Sequence, residues 1–300
     1  MAKVTEEYKR LVLDDIKSFE KLNHPVRAGL LERLLVRKLP LSELHPNPQD
    51  EFCMESVGPS YAIISDYEKT FRDRIRHGED LFGQFDDPLM VEKMSTGGYM
   101  ILNGHHRWMA ANKIGLDKIP VQIVNVTTVE DVLATVNRSD KDMCASFDLD
   151  EILLTDGKTY PVHKELSFPY DRIYKKTLRK NAAVLINELR RIGFDVWVYT
   201  GEYYSEAYIR RLFKLNGTQA DGIINGMGRK STRKDFKETF ANKYRISLHI
   251  DNSDVIAVKT KTKEYETYPI DSTNQDWASE VVQRLRENKE YWHECDESVL

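Results

Sequence analysis

From residue 143 onward, short apolar runs alternate with amphipathic stretches, and that alternation limits the folds open to the chain. CASFDLD is an apolar run ending in carboxylates, and residues 178–192 have helical periodicity with Gly193 as a stop. DVWVYT (195–200) reads as a strand, 205–215 as a helix, GIIN (222–225) as a short strand and 232–243 as a helix. ISLHID (246–251) and VIAVK (255–259) read as further strands. Strands alternating with helices predict a parallel sheet with right-handed crossovers.

The first half is patterned differently. Residues 5–22 and 26–37 read as helices, with Leu11, Ile16, Phe19 and Leu22 near helical spacing and Pro25 between the two. In LPLSELHPNPQDEF, Pro40, Pro46 and Pro48 are expected to break any regular element. A helix is expected over 61–77, a strand at LMVEKM, a hairpin at Gly97-Gly98 and a strand over 99–103. A helix over 106–114, stopped by Gly115, and a strand over 119–126 complete the half. The expected organisation is a helical extension (1–35), a small mixed α/β domain (36–127) and a partly helical linker (128–142). A parallel-sheet domain (143–285) and a polar tail (286–300) follow.

Charge and cysteine usage narrow the class. With 44 basic and 48 acidic residues the net charge is −4, which argues against a general nucleic-acid coat but leaves a local basic groove open. Nucleic acid as a partner thus draws no support from the net charge. Three widely spaced cysteines predict neither a disulfide framework nor a cysteine-built zinc site. The apolar runs are far short of a membrane span and MAKVTEEYKRLVLDD lacks a signal-peptide core, so a cytoplasmic protein with no membrane partner is expected.

YMILNGHHRWMAANKIGLDKIPVQIV places a strand, a glycine turn and a helix in succession. Gly104 permits the turn, and the first backbone N–H groups of the helix lack intrahelical partners, which suits an anion. His105, His106 and Arg107 add side-chain donors, and Arg can grip a phosphate with two parallel bonds. The same residues suit a capped structural turn equally well. NGHHRWMAANKIGLDKIPV resembles the signature turn and helix of the ParB/sulfiredoxin superfamily, and LPLSELHPNP resembles its opening strand and "NP" turn, over about residues 36–126. The resemblance implies a small mixed α/β fold. It puts Gly104, His105, His106 and Arg107 on a nucleotide phosphate, with ATP, ADP or CTP as the ligand.

Members of that superfamily differ in chemistry. ParB proteins bind and hydrolyse CTP and bind DNA, sulfiredoxin uses ATP and a reactive cysteine, and a branch with a GHHR turn phosphorylates free serine. Here no cysteine precedes the histidines and no helix-turn-helix follows. Asn103 stands where the kinase branch has Asp. A kinase base would come from Asp50 or Glu51 after the NP turn, and Glu51 joins the expected phosphate-site residues.

SFDLDEILL sets Asp148 and Asp150 at the end of an apolar strand. Carboxylates that close repel unless a cation lies between them, and Mg²⁺ favours oxygen ligands, although a surface turn also explains an Asp-x-Asp. Thr200 ending a strand, Lys230 or Lys234 at a helix start, and HIDNSD ending another strand follow in order. This series resembles the haloacid dehalogenase (HAD) superfamily over about residues 143–258. The resemblance implies a Rossmann-like parallel sheet with little or no cap, and phosphoryl transfer through an aspartyl-phosphate.

By that resemblance Asp148 is the nucleophile, Asp150 the acid and base, Thr200 a phosphoryl ligand and Lys234 the neutralising cation. Mg²⁺ is held by Asp148, Asp150, Asp251 and Asp254, although Asn252 stands where the family often has a second acid. The expected function is therefore a HAD-type phosphatase or phosphotransferase, a hydrolase acting on a phosphorylated substrate or nucleotide, joined to a nucleotide-binding ParB-like domain. The alternatives are a bifunctional kinase–phosphatase with GHHR as the kinase site, or a nucleotide- or nucleic-acid-responsive regulator with a degenerate HAD site.

Overall fold

In the computed structural model Pro40 and Pro46 end strands instead of preventing them, while Pro48 lies in a turn. The structure describes residues 8–19, 24–54, 56–79, 88–226, 230–250, 255–259, 265–269, 274 and 276–287. Contacts divide the chain into two units, Met1–Val126 and Thr127–Leu300.

In the first unit the chain turns through a π-helical segment (Lys9–Leu13) into α1 (Asp14–Phe19), then forms α2 (Leu30–Leu34), β1 (Arg37–Pro40) and β2 (Leu44–Pro46). Helix α3 (Tyr61–His77) is followed by β3 (Leu89–Lys93), β4 (Tyr99–Asn103), α4 (His105–Lys113) and β5 (Lys118–Ile123). The sheet order is β1-β5-β3-β4-β2. Pro40 and Pro46 thus sit at the ends of the two edge strands, where a missing N–H is tolerated. The expectation that these prolines exclude regular structure is corrected on that ground.

The β3–β4 pair is an antiparallel hairpin across Gly97 and Gly98, both at positive φ, whereas β2–β4 and β3–β5 are parallel. The sheet is therefore mixed. The helix expected over 26–37 contracts to the five residues of α2, because Arg37 already pairs with Val121 of β5. The amino-terminal segment packs onto this unit. Tyr8, Val12 and Ala28 are buried in one core with Phe52, Ile64 and Trp108.

The second unit opens with α5 (Val129–Val136), capped by the Thr128 hydroxyl accepting from the Asp131 N–H. Its Val132 and Val136 are buried with Cys144, Trp197 and Ile224, so the stretch expected to be a linker is core. Next come β6 (Met143–Asp148), a π-type turn (Leu149–Leu153), β7 (Leu154–Thr155), α6 (Tyr170–Ile173) and β8 (Thr177–Leu178). Then follow α7 (Ala182–Arg191), β9 (Phe194–Tyr199), α8 (Glu206–Leu215), β10 (Gly222–Ile224), α9 (Lys230–Lys243) and β11 (Ile246–Ile250). The last described elements are β12 (Val255–Lys259), β13 (Tyr265–Pro269) and α10 (Trp277–Glu287). Residues 288–300 of the expected tail lie outside the described residues.

The main sheet runs β10-β9-β6-β11-β12-β13. Its first four strands are parallel. Alternate residues of β6 and β9 feed opposite faces: Ala145, Phe147, Val196 and Val198 pack with Leu185, Phe213 and Trp277, while Cys144 and Trp197 pack with Val132, Phe236 and Tyr244. Burial on both faces is what a parallel sheet requires. Strands β12 and β13 are antiparallel additions. Only residues 251–254 separate β11 from β12, too few for a parallel crossover. The sheet expected to be parallel is therefore parallel in its centre and antiparallel at one edge. Strand β6, first in the chain, is flanked by β9 and β11, and open α/β sheets bind ligands beyond the carboxyl ends of strands at such a reversal of order. Among the described residues no helix is long and apolar enough to cross a membrane.

Candidate functional site

In the first unit, β4 passes into α4 through Gly104 at φ 104° and ψ 19°. A Cβ there would stand 2.1 Å from Leu89 Cδ2 and 3.1 Å from Arg107 Nη2, so only glycine fits. The first N–H groups of α4 open directly after this turn.

His105 is 3% exposed. Its Nε2 accepts the Asn47 N–H at 3.1 Å, and its Nδ1 lies 3.6 Å from Asp50 Oδ2. An accepting Nε2 puts the ring proton on Nδ1, toward Asp50. Burial pushes His105 down to about 4, against the pull of the Asp50 charge. The imidazole is neutral at pH 7 and both its nitrogens face protein groups, so the group it leaves open to an anion is its backbone N–H. His106 Nε2 accepts the Ser60 N–H at 3.0 Å, and burial lowers its pKa as well. Both rings pack on Phe52, His105 stacked at 5.3 Å and His106 edge-on at 5.0 Å.

The histidines thus tie the turn to residues 47–60. The expectation that their side chains act as phosphate donors is corrected for His105. Arg107 Nη2 lies 3.5 Å from the Pro88 carbonyl. Glu51 is exposed, and the acid facing His105 is Asp50, whose Oδ1 also accepts the Phe52 N–H at 2.9 Å.

Residues 31–137 match the ParB N-terminal domain. No curated protein matches the chain. Among solved structures, it is similar to C-terminally truncated chromosome-partitioning protein ParB from Caulobacter crescentus complexed with CTP-γ-S, at 20% identity over 36% of this chain and 56% of that one, with a TM-score of 0.24. Sulfiredoxin from Arabidopsis thaliana is similar at 21% identity over 35% of this chain and 99% of that one, TM-score 0.23. The same truncated ParB complexed to the centromeric parS site gives 20% identity, 35% and 49% coverage and a TM-score of 0.22. The likeness spans about half the length of these ParB chains.

Beyond the ParB-like unit, Asp148 ends β6, and its Oδ1 accepts the Glu151 N–H at 2.8 Å. That bond caps the π-type turn, which brings Asp150 to the neighbouring strand. There the Thr200 hydroxyl donates to Asp150 Oδ2 at 2.5 Å. Thr200 is fully buried, its Oγ1 accepts the Glu202 N–H at 2.9 Å and its own N–H bonds the Ile224 carbonyl at 2.9 Å. Asp150 Oδ1 is buried with no hydrogen-bond partner. Asp148, Asp150 and Thr200 therefore meet at the carboxyl ends of β6 and β9.

Two residues beside them were not anticipated. Burial, then the Asp150 charge, raises the Glu202 carboxyl, with Lys176 opposing. Burial and the charges of Asp150 and Glu202 raise the Tyr204 phenol. The available signal was their place in GEYY, directly after the Thr200 strand, where loops of a parallel sheet carry ligand contacts.

Lys230 and Lys234 lie on α9, with side chains outside the described part. Asp251 and Asp254, expected as metal ligands, lie outside the described residues. Among the described residues no three histidine, cysteine, aspartate or glutamate side chains form a metal cage.

Proposed function

We propose that the second unit transfers phosphoryl groups at the carboxyl ends of β6 and β9, acting as a Mg²⁺-dependent phosphatase. The observation that carries this reading is the Asp148–Asp150 pair at the end of the central parallel strand, with Asp150 held by Thr200 from the next strand. The donor set suits magnesium, since every candidate ligand is a carboxylate oxygen. Asp148, with Asp251 and Asp254 after β11, would hold the ion. Bound there, the ion offsets the repulsion between phosphate and carboxylate.

The side chains divide the chemistry. An Asp148 oxygen attacks phosphorus and the ester P–O bond breaks. Thr200 holds Asp150 through Oδ2, which leaves Oδ1 to hand a proton to the leaving oxygen. Asp150 then accepts a proton from water as the water attacks phosphorus, releasing phosphate and restoring Asp148. Thr200 keeps Asp150 in place, and Lys234 carries the charge-neutralising role.

The test is phosphate release with Mg²⁺ from a panel of nucleotides, phosphometabolites and p-nitrophenyl phosphate. Wild type is expected to turn over at least one, and Asp148→Asn to lose about three orders of magnitude or more. No release from any substrate, or equal release by Asp148→Asn, refutes the proposal.

A second reading concerns the ParB-like unit, where Gly104 opens the helix His105–Lys113 beside Arg107: a nucleotide phosphate binds at the start of α4. Calorimetry should show ATP, ADP or CTP binding that Arg107→Ala weakens about tenfold or more. Absence of binding to wild type leaves the turn as structure only.

A further inference from the structure

The segment between β7 and β8 is set apart from the rest of the chain by charge. Residues 156–180 hold seven basic and three acidic residues, a net +4 inside a chain of net −4. Its base is anchored: Leu154 and Thr155 pair with Leu178 and Thr177, and the buried Arg179 guanidinium lies 3.6 Å from the Tyr160 ring centroid. The Tyr174 hydroxyl donates to the Tyr208 carbonyl at 3.2 Å. Because β7 directly follows the turn that carries Asp150, the segment rises from the same carboxyl edge as Asp148 and Asp150.

Its outer part is exposed, and beside the acids Asp156, Glu165 and Asp171 and the apolar Ile173 it presents a majority of cations and one aromatic ring. Phe168 is 72% exposed, with the Arg172 guanidinium 5.5 Å from its ring. Lys164, Lys175, Lys176 and Lys180 are exposed along the same segment. An open phenyl ring of this kind has no packing role, but it offers a face to any nucleobase. Cations spaced along a segment follow a sugar–phosphate backbone, whereas a lone phosphate needs only one or two.

We propose that this segment is the docking surface for a single-stranded nucleic acid, whose terminal phosphate is the group presented to Asp148. The inference rests on the phosphoryl-transfer reading for the identity of the reacting group, but not for the binding. A base stacks on Phe168 beside Arg172, and the lysines contact successive phosphates. The net negative charge of the remaining chain confines binding to this segment, which is why the overall composition does not disclose it.

The experiment uses the full chain and a fluorescein-labelled single-stranded DNA of about 12 nucleotides, on the order of one single-strand site, with a terminal phosphate. Anisotropy is read across a salt series. Saturable binding is expected, weakened about fivefold or more by Phe168→Ala and restored by Phe168→Trp, which keeps a stacking face. The double variant Lys164→Glu, Lys176→Glu should flatten the log–log salt slope by about 0.7 for each phosphate that is no longer neutralised.

Several results overturn the proposal. These are no saturable binding at low salt, affinity indifferent to all these variants, or an acidic phosphopeptide that competes as well as the oligonucleotide. The two readings fail separately. Binding that obeys the variants with no phosphate released from the oligonucleotide keeps the surface and refutes its use as the phosphatase substrate site. Turnover of small esters without oligonucleotide binding keeps the phosphatase and refutes the surface.

Discussion

Gly104→Ala is the sharpest test of how the ParB-like turn is built. Gly104 sits at φ 104°, well outside the range that L-residues adopt readily, which costs roughly 1–2 kcal/mol for a side chain. The new Cβ would also stand 2.1 Å from Leu89 Cδ2, and Leu89 is only 1% exposed, so it cannot swing into solvent. Forcing such an overlap into a packed core costs about 1–3 kcal/mol more. The expected loss is therefore roughly 2–5 kcal/mol.

A single melting curve does not isolate this loss in a chain of two units. Amide hydrogen exchange read by mass spectrometry on peptides spanning 99–113 reports the opening free energy of β4 and α4 directly. A double-mutant cycle with Leu89→Ala separates the two causes. Removing the Leu89 side chain relieves the overlap but not the backbone strain, so the pair should couple by about 1–3 kcal/mol. Unchanged protection in Gly104→Ala, or strict additivity in the cycle, would show that the turn is not held by this close approach.

The first unit should lose stability on acidification. His105 titrates at about 4 when folded and near 6.5 when unfolded, so the unfolded chain binds the extra proton first and stability falls from about pH 6.5 toward 4, by about 3 kcal/mol. Hydrogen exchange of the same peptides at several pH values checks this, and His105→Gln, which cannot titrate, should remove that slope. In the second unit, Thr200→Val keeps the shape but deletes the bonds to Asp150 and to the Glu202 N–H, costing about 1–3 kcal/mol in the exchange of residues 194–202. Gly222→Ala would place a Cβ 2.1 Å from the Trp197 ring, which is locked by its Nε1–H bond to the Tyr244 hydroxyl. About 2 kcal/mol or more should be lost from the second unit, with the ParB-like unit unaffected; equal loss in both would contradict it.

Periodicity and punctuation carried much of the fold. The helix over 61–77 was legible because Ser60 caps it and Gly78 stops it, both through local hydrogen bonding. The parallel centre of the second sheet was legible because strands buried on both faces read as apolar runs separated by amphipathic helices. Strands β1 and β2 were not, because whether a proline ends or excludes a strand depends on whether its edge is paired, which is a property of the assembled sheet.

The sites divide in the same way. The chain alone determined which groups are within reach of each turn: Gly104 through Arg107 after one strand, Asp148 and Asp150 after another, and the block of cations over 156–180. Tertiary structure decided what each group faces. It committed the His105 imidazole to Asn47 and Asp50, made Asp50 and not Glu51 its acidic neighbour, and left Glu51 in solvent. It also brought Thr200, 50 residues distant, onto Asp150, with Glu202 and Tyr204 beside them. Sequence spacing sets direction only over a few residues of one element, whereas the burial and charge that set a titratable group's state come from strands far apart in the chain.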